Sequence, residues 1–231
     1  MLKRNFYFFC GVVAAISFAS FSLSSLSKGN AIDTSAKANL ANSSTTLSTP
    51  DEKGKVTVVF AGGCFWGVEA VFEHLKGVTN VVSGYSGGTA DTAHYETVSS
   101  GQTGHAESVK ITYDPSQISY EQLLKVYFFV AHDPTQLNRQ GPDRGTQYRS
   151  AIFFANAEQK QIAEAYIDRL NKEKTFSKPI VTQVVPLQSF YAAEDYHQDF
   201  IVHNPNYPYV VAHDLPKLEQ LQKQFPEIYK K

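Results

Sequence analysis

The sequence predicts an α+β protein: a two-layer sandwich with a mixed β-sheet, a split βαβ (ferredoxin-like) core and a long C-terminal irregular segment. Two observations carry this expectation. Short β-branched or apolar runs alternate with helical-period runs in the order β-α-β-β-α-β, with an added helix, so helices should cover one face of the sheet. In addition, 42% of the 231 residues are hydrophobic and 13% aromatic. A chain so endowed can bury a core and is not disordered by composition.

Each element has its own signal. Val56–Ala61 is β-branched and apolar and is closed by Gly62-Gly63, the pattern of a buried strand. Phe65, Val68, Val71, Phe72 and Leu75 then recur at helical spacing, with Glu69 and Glu73 opposite and Gly77 as the stop. Val78–Ser83 and Glu107–Tyr113 read as strands joined by a Gly/Ser/Thr-rich loop. Ser119 and Gln122 form a capping box for a helix lined by Leu123, Leu124, Tyr127 and Phe128. Ser150–Phe154 reads as a strand. Asn156 with Gln159 caps a helix carrying Ile162, Tyr166 and Leu170, and Ile180–Val185 is a further strand.

The start of the chain is different. Lys3 and Arg4 precede the apolar run Phe6–Ala19, and no charge returns until Lys28. This is the pattern of an export signal, with Ser17-Phe18-Ala19 and Gly29-Asn30-Ala31 both acceptable to a small-residue cleavage rule. A retained membrane anchor is the alternative, because the uncharged stretch approaches the ~20 residues that span a bilayer. We therefore expect residues 1–27 to be a signal peptide or anchor, 28–53 a flexible Ser/Thr/Ala/Asn linker, and 54–231 the folded domain. Export, to a periplasm-like compartment, is the expected destination, and the membrane enters only if the first segment is retained.

Composition narrows the chemistry. With 21 Lys+Arg against 22 Asp+Glu and no basic run, the chain has no electrostatic footprint for nucleic acid. Cys10 and Cys64 are the only cysteines, which excludes a CxxC redox pair and a disulfide framework. The seven histidines contain no HExxH and no tight ligand set, so no metal site is expected. Cys64 sits in Gly62-Gly63-Cys64-Phe65-Trp66-Gly67, where a strand turns into a helix. The dipole and free N–H groups of a helix start favour a thiolate there, and so a nucleophile. A lone Cys beside Phe and Trp is also commonly a small buried hydrophobe. Glu107 opens a strand after Gly104-His105-Ala106, where an apolar pocket would raise its pKa and suit it to general acid work. An exposed strand-edge carboxylate is the plainer alternative. The loop from His132 to Arg149 is long and polar and offers Asp143 and Tyr148 as hydrogen-bonding groups.

Together these runs resemble the A-type peptide methionine sulfoxide reductase family. The matching stretches are Gly63–Glu69, Gly84–Gly88, Tyr95-Glu96 with Gly104–Glu107, Gly141–Asp143 with Gly145–Ser150, and Ala193–Gln198. They fall in the family's order over nearly all of residues 55–210. The resemblance implies reduction of the S epimer of methionine sulfoxide, free or in oxidised proteins, with Cys64 as the nucleophile and Glu107 as the proton source. It further implies that Tyr95 and Tyr148 donate to the sulfoxide oxygen, that Asp143 positions a water or polar partner, and that Phe65 and Trp66 receive the S-methyl group. Methionine would leave Cys64 as sulfenic acid. Many members carry further cysteines near the C-terminus, whereas here no Cys follows Cys64, so the resemblance points to a one-cysteine variant. It would use an external thiol reductant, a thioredoxin-like protein or a glutathione system, and no bound cofactor. Pro142 departs from the family's more usual Asn before the Asp. The rival readings are a thiol peroxidase, a thiol hydrolase for which His197 is the one base to nominate, and a non-catalytic module that binds Met-rich or oxidised segments.

Overall fold

The computed structural model describes residues 54–231; the signal or anchor and the linker expected at 1–27 and 28–53 lie outside them. In chain order the elements are β1 (Val56–Gly62), α1 (Phe65–Glu73), β2 (Val78–Ser86), α2 (Tyr95–Val98), β3 (Ala106–Tyr113) and α3 (Tyr120–Val126). Then come β4 (Arg139–Gln140), β5 (Asp143–Arg144), β6 (Ser150–Phe154), α4 (Ala157–Lys172), β7 (Gln183–Pro186), β8 (Phe190–Ala192), α5 (Phe200–His203) and α6 (Leu215–Gln224).

Six strands form one sheet in the order β7-β6-β1-β3-β2-β8, and β4 and β5 form a separate hairpin. Only β6 and β7 pair in parallel. The other pairs of the large sheet are antiparallel. β3 lies between β1 and β2, and β1 lies between β3 and β6, so two split βαβ units interleave around α1 and α3. The main core forms where these helices cover the sheet: Phe60, Ile111 and Ile152 from the strands meet Val71, Phe72, Leu123 and Phe128. A smaller cluster of Val59, Ala61, Ala151 and Phe153 occupies the other face beneath Phe190.

The strand and helix expectations hold with shifted ends. α1 stops at Glu73, and Gly77 turns the chain with φ +87°. The expected capping box at Ser119 forms, and after α3 the chain widens into a π-turn over Tyr127–Ala131. The strand expected from Ile180 begins at Gln183, because Ile180 and Val181 donate their N–H groups to the Asn171 side chain and the Pro134 carbonyl. The C-terminal segment, expected to be irregular, contains β8, α5 and α6. β8 joins the sheet edge beside β2, while α5, the turn before α6 and α6 itself fold back over α1, with Val210 and Leu221 fully buried. Among the described residues no helix is long and apolar enough to cross a membrane.

Candidate active site

Cys64 stands at the N-cap of α1 and is 2% exposed. The turn that puts it there needs both glycines before it. Gly63 has φ +92°, and a Cβ on it would lie 2.6 Å from the Cβ of Gln140, so β4 buttresses the turn. A Cβ on Gly62 would meet the His132 ring at 2.9 Å. That ring is held by the Tyr127 carbonyl and by Ser150 Oγ at 2.6 Å. Tyr127 in turn donates to the Ala61 carbonyl at 2.7 Å. The strand-to-helix turn therefore rests on a buried polar network.

The structure brings Glu107 to the same helix start. Its Oε2 accepts the Phe65 N–H at 3.1 Å, and the residue is 1% exposed. This bond spans 42 positions in sequence and sets a carboxyl group beside the residue that follows Cys64. Phe65 and Trp66 are buried in the first turn of α1. Phe65 packs on Tyr85 and His197, with ring centroids 5.8 and 5.0 Å apart. Tyr95 begins α2, and its ring lies 4.5 Å from His197. Tyr148 is buried in a turn that packs against β3, the strand of Glu107. That turn is tied down by Gln147, which donates to the Ser99 carbonyl at 3.0 Å, and by Thr146, which donates to the Gly101 carbonyl at 2.7 Å. Asp143 is buried in β5. Glu107 thus meets the N-terminus of α1 directly, Tyr95 reaches it through His197 and Asp143 through Tyr209, whereas Tyr148 is placed beside β3.

Several residues at this centre had no assigned role in the sequence reading. Tyr209 donates its phenol hydrogen to Asp143 Oδ2. Burial drives the Tyr209 hydroxyl far above its ordinary range, and the neighbouring Cys64 and Asp143 push the same way. Burial also lifts the Asp143 carboxyl above its usual value, against the downward pull of the Tyr209 bond and Lys217. Glu194 is a clamp: its Oε1 accepts the Tyr95 N–H at 2.9 Å and its Oε2 accepts the Tyr85 hydroxyl at 2.8 Å. Burial would raise this carboxyl, but those donors and its own backbone N–H outweigh it and hold it below the carboxylate range. Gln198 binds β2 through both the N–H and the carbonyl of Ser83, at 2.9 and 3.1 Å. The Ala193–Gln198 run signalled this part of the site without disclosing which atoms it would join.

His197 is not a base for Cys64. Its Nδ1 accepts the indole N–H of Trp66 at 3.1 Å. Because an indole nitrogen only donates, that ring nitrogen carries no proton and the hydrogen of the neutral ring is on Nε2. Burial lowers the His197 pKa to about 4, against the pull of Glu194 and Glu96, so the ring is neutral at pH 7.

A buried cysteine at a helix start, with a carboxyl group at the same N-terminus and a wall of tyrosines and aromatic rings, defines a thiol-based enzyme on an α+β scaffold. The comparisons with known proteins narrow that class. The family described as "Peptide methionine sulfoxide reductase" matches residues 56–229. A relative from Mesorhizobium japonicum, "Peptide methionine sulfoxide reductase MsrA 2", is 62% identical over 182 residues, covering 78% of this chain and 93% of its own. One of the same name from Synechocystis is 57% identical over 175 residues, 76% of this chain and 82% of its own. Among solved structures, methionine sulfoxide reductase A of Corynebacterium diphtheriae superposes with TM-score 0.59 at 36% identity, over 70% of this chain and 81% of that one. The chain belongs to the peptide methionine sulfoxide reductase family, A type. It is an oxidoreductase that reduces methionine sulfoxide in peptides at the expense of thiols, a protein-repair activity.

Proposed function

We propose that the reaction runs through Cys64 and Glu107 and leaves a sulfenic acid on the protein. The Cys64 thiolate attacks the sulfoxide sulfur while a proton from Glu107 reaches the sulfoxide oxygen. The oxygen ends on the cysteine sulfur as sulfenic acid and methionine departs. The substrate sulfur gains two electrons and the cysteine sulfur loses two. Tyr95 and Tyr148 donate to the oxygen as charge builds on it, and Asp143, held by Tyr209, keeps a polar partner in place beside them. Phe65 and Trp66 supply the apolar wall for the S-methyl group. The observation that carries this reading is the Phe65 N–H on Glu107 Oε2, which places the carboxyl group at the helix start that also holds Cys64.

The domain contains no second cysteine, so the sulfenic acid must be reduced by a thiol from outside, a thioredoxin-like protein or a glutathione system. The N-terminal pattern of Lys3, Arg4 and Phe6–Ala19 supports an exported protein acting in a periplasm-like compartment.

A single-turnover assay without added reductant tests the chemistry. Supplied with the separate epimers of N-acetyl-methionine sulfoxide, the protein should release about one methionine per chain from the S epimer alone. Its free thiol should disappear without forming a disulfide. An intact, titratable Cys64 with no methionine released would overturn the reading.

A further inference from the structure

A charged pair backs the first turn of α1 and has no part in the proposed reaction. Gly67 lies three positions after Cys64, and residues so spaced on a helix are neighbours, about 5–6 Å apart. A Cβ on Gly67 would fall 2.1 Å from Asp214 Oδ1 and 2.6 Å from Lys217 Nζ, so the pair fills the place of a side chain on that turn. The ammonium and the carboxylate are 3.2 Å apart. Lys217 also lines a cavity of about 500 Å³ with His132 and Gln140. His132 bears on Gly62, Gln140 on Gly63 and Lys217 on Gly67, so one cavity wall supports the whole turn that carries Cys64.

The pair is a poor filler. Asp214 is fully buried and its Oδ2 has no hydrogen-bond partner, so Lys217 satisfies one oxygen of two. An apolar filling of the same volume is often as stable as a buried ion pair, or more so. What the pair supplies instead is charge. Burial raises the Asp143 carboxyl; Tyr209 and then Lys217 pull it down, and Asp214 pushes it up. Burial raises the Tyr209 hydroxyl, with Cys64 next and Asp143 and Asp214 adding to the rise. Lys217 and Asp214 therefore act with opposite sign on the corner shared by Cys64, Tyr209 and Asp143. Two further groups face this corner: Glu107 on β3, at the Phe65 N–H, and His213 in the turn before α6, packed on Tyr209. His132, behind the turn, is neutral at pH 7, since burial lowers it to about 4. β4 meets the turn with Gln140 and directs Arg139 to the Gly141 carbonyl. A thiolate set among these carboxyl groups needs a counter-charge, and Lys217 stands where one would act.

We propose that Lys217 is a positioning residue for the reaction: held on Gly67 by Asp214, its ammonium favours the thiolate of Cys64 and the ionised form of Asp143, and Asp214 moderates it. This rests on Cys64 as the nucleophile and adds the charge that prepares it.

The test reads the pH dependence of Cys64 alkylation by iodoacetamide in the folded full chain, followed at the Cys64 peptide by mass spectrometry. Lys217→Met should raise the midpoint by about 0.5–1 pH unit, leaving about three- to tenfold less thiolate at any pH below it. Lys217→Arg should return the midpoint to near the wild-type value. Asp214→Asn keeps the size of the side chain and an acceptor for Lys217, and should lower the midpoint. Opposite shifts are the signature of charge, because loss of packing would move both variants the same way. Methionine release in a single turnover should slow with the thiolate in Lys217→Met and recover at high pH. Midpoints within about 0.2 of wild type in both variants, or shifted in the same direction, would reduce the pair to a filler and overturn the proposal. Should Lys217→Met fail to fold, Asp214→Asn decides alone: a lowered midpoint supports the role and an unmoved one ends it. Wild-type protein that releases no methionine from the S epimer would sink the reaction and this role together, whereas normal release with unmoved midpoints sinks this role only.

Discussion

At the residue scale, Glu107 does two things. It accepts the Phe65 N–H and so fixes the first turn of α1, and it is the acid nearest to that turn. Glu107→Gln keeps an acceptor oxygen for Phe65 and removes the transferable proton, which separates the two. The single-turnover rate of methionine release should fall by about 10²–10⁴-fold, while the number of titratable thiols stays at one per folded domain. An equal loss of fold and rate would make Glu107 structural only. This pair was legible in the sequence, because Gly63–Gly67 and Gly104–Glu107 each fall at a glycine-rich junction with a regular element. Tyr209 on Asp143, 66 positions away, and Glu194 on Tyr85, 109 positions away, were not. A tyrosine after a proline and a glutamate in a polar run carry no local sign of the partner the fold will bring.

At the scale of elements, the strands and helices of the sandwich were readable because each is an apolar run, buried almost without a break in β1 and α1, bounded by glycines or by a capping residue. The C-terminal cover was not, since β8 and α5 have only three and four residues and their apolar side chains make sense only against distant partners, β2 at the sheet edge for β8 and α1 for α5. α1 is itself shaped for that cover. A Cβ on Gly67 would fall 2.1 Å from Asp214 Oδ1 and 2.6 Å from Lys217 Nζ, so the buried Asp214–Lys217 pair rests on bare backbone. Gly67→Ala should therefore cost about 1–3 kcal/mol in urea denaturation, with part of the loss recovered by adding Asp214→Ala. An unchanged midpoint would mean that α6 does not bear on this turn. The opposite side of α1 carries Glu69, whose Oε2 accepts the Asp199 N–H at 3.1 Å, just before Phe200. Burial raises the Glu69 pKa to about 8, with Glu73 and Asp199 adding to the rise and Ser83 opposing it. Burial likewise raises Glu73 to about 7, again with Asp199, against Lys230. A carboxyl group raised in the fold holds a proton that the unfolded chain has released. Between the ordinary value of 4.5 and about 8 the native state binds more protons, and stability falls as pH rises through that window. Glu69→Gln should flatten this decline, leaving Tm near the wild-type value at pH 5 and raising it at pH 9. Each kcal/mol recovered is worth roughly 2–4 °C in a domain of this size. A Tm difference independent of pH would show that Glu69 is ionised throughout.

At the scale of the whole molecule, the chain closes on itself. Its last residues lie on the α1–β2 turn: Lys76 donates its N–H to the Ile228 carbonyl at 2.8 Å, Lys230 donates its N–H to the His74 carbonyl at 2.9 Å, and Tyr229 stacks on His74. The Lys230 ammonium reaches the Val78 carbonyl at 3.1 Å. α6 is thus held at both ends, by Asp214 on Gly67 and by this clasp. Between β8 and α6 lies the stretch that places His197, Phe200 and Tyr209 over the first turn of α1. Stability and access to Cys64 are coupled through that arrangement. Deleting residues 226–231 removes both main-chain bonds to the α1–β2 turn and the packing of Ile228 and Tyr229, a loss of about 2–4 kcal/mol. With one end of α6 released, the cover opens more often, and Cys64 should react with a thiol reagent several-fold faster than in the full chain under native conditions. A destabilised protein whose Cys64 reacts no faster would show instead that the Trp66–Phe200 stack and the Tyr209–Asp143 bond hold the cover by themselves. The C-terminal clasp would then matter to the fold and not to the gate.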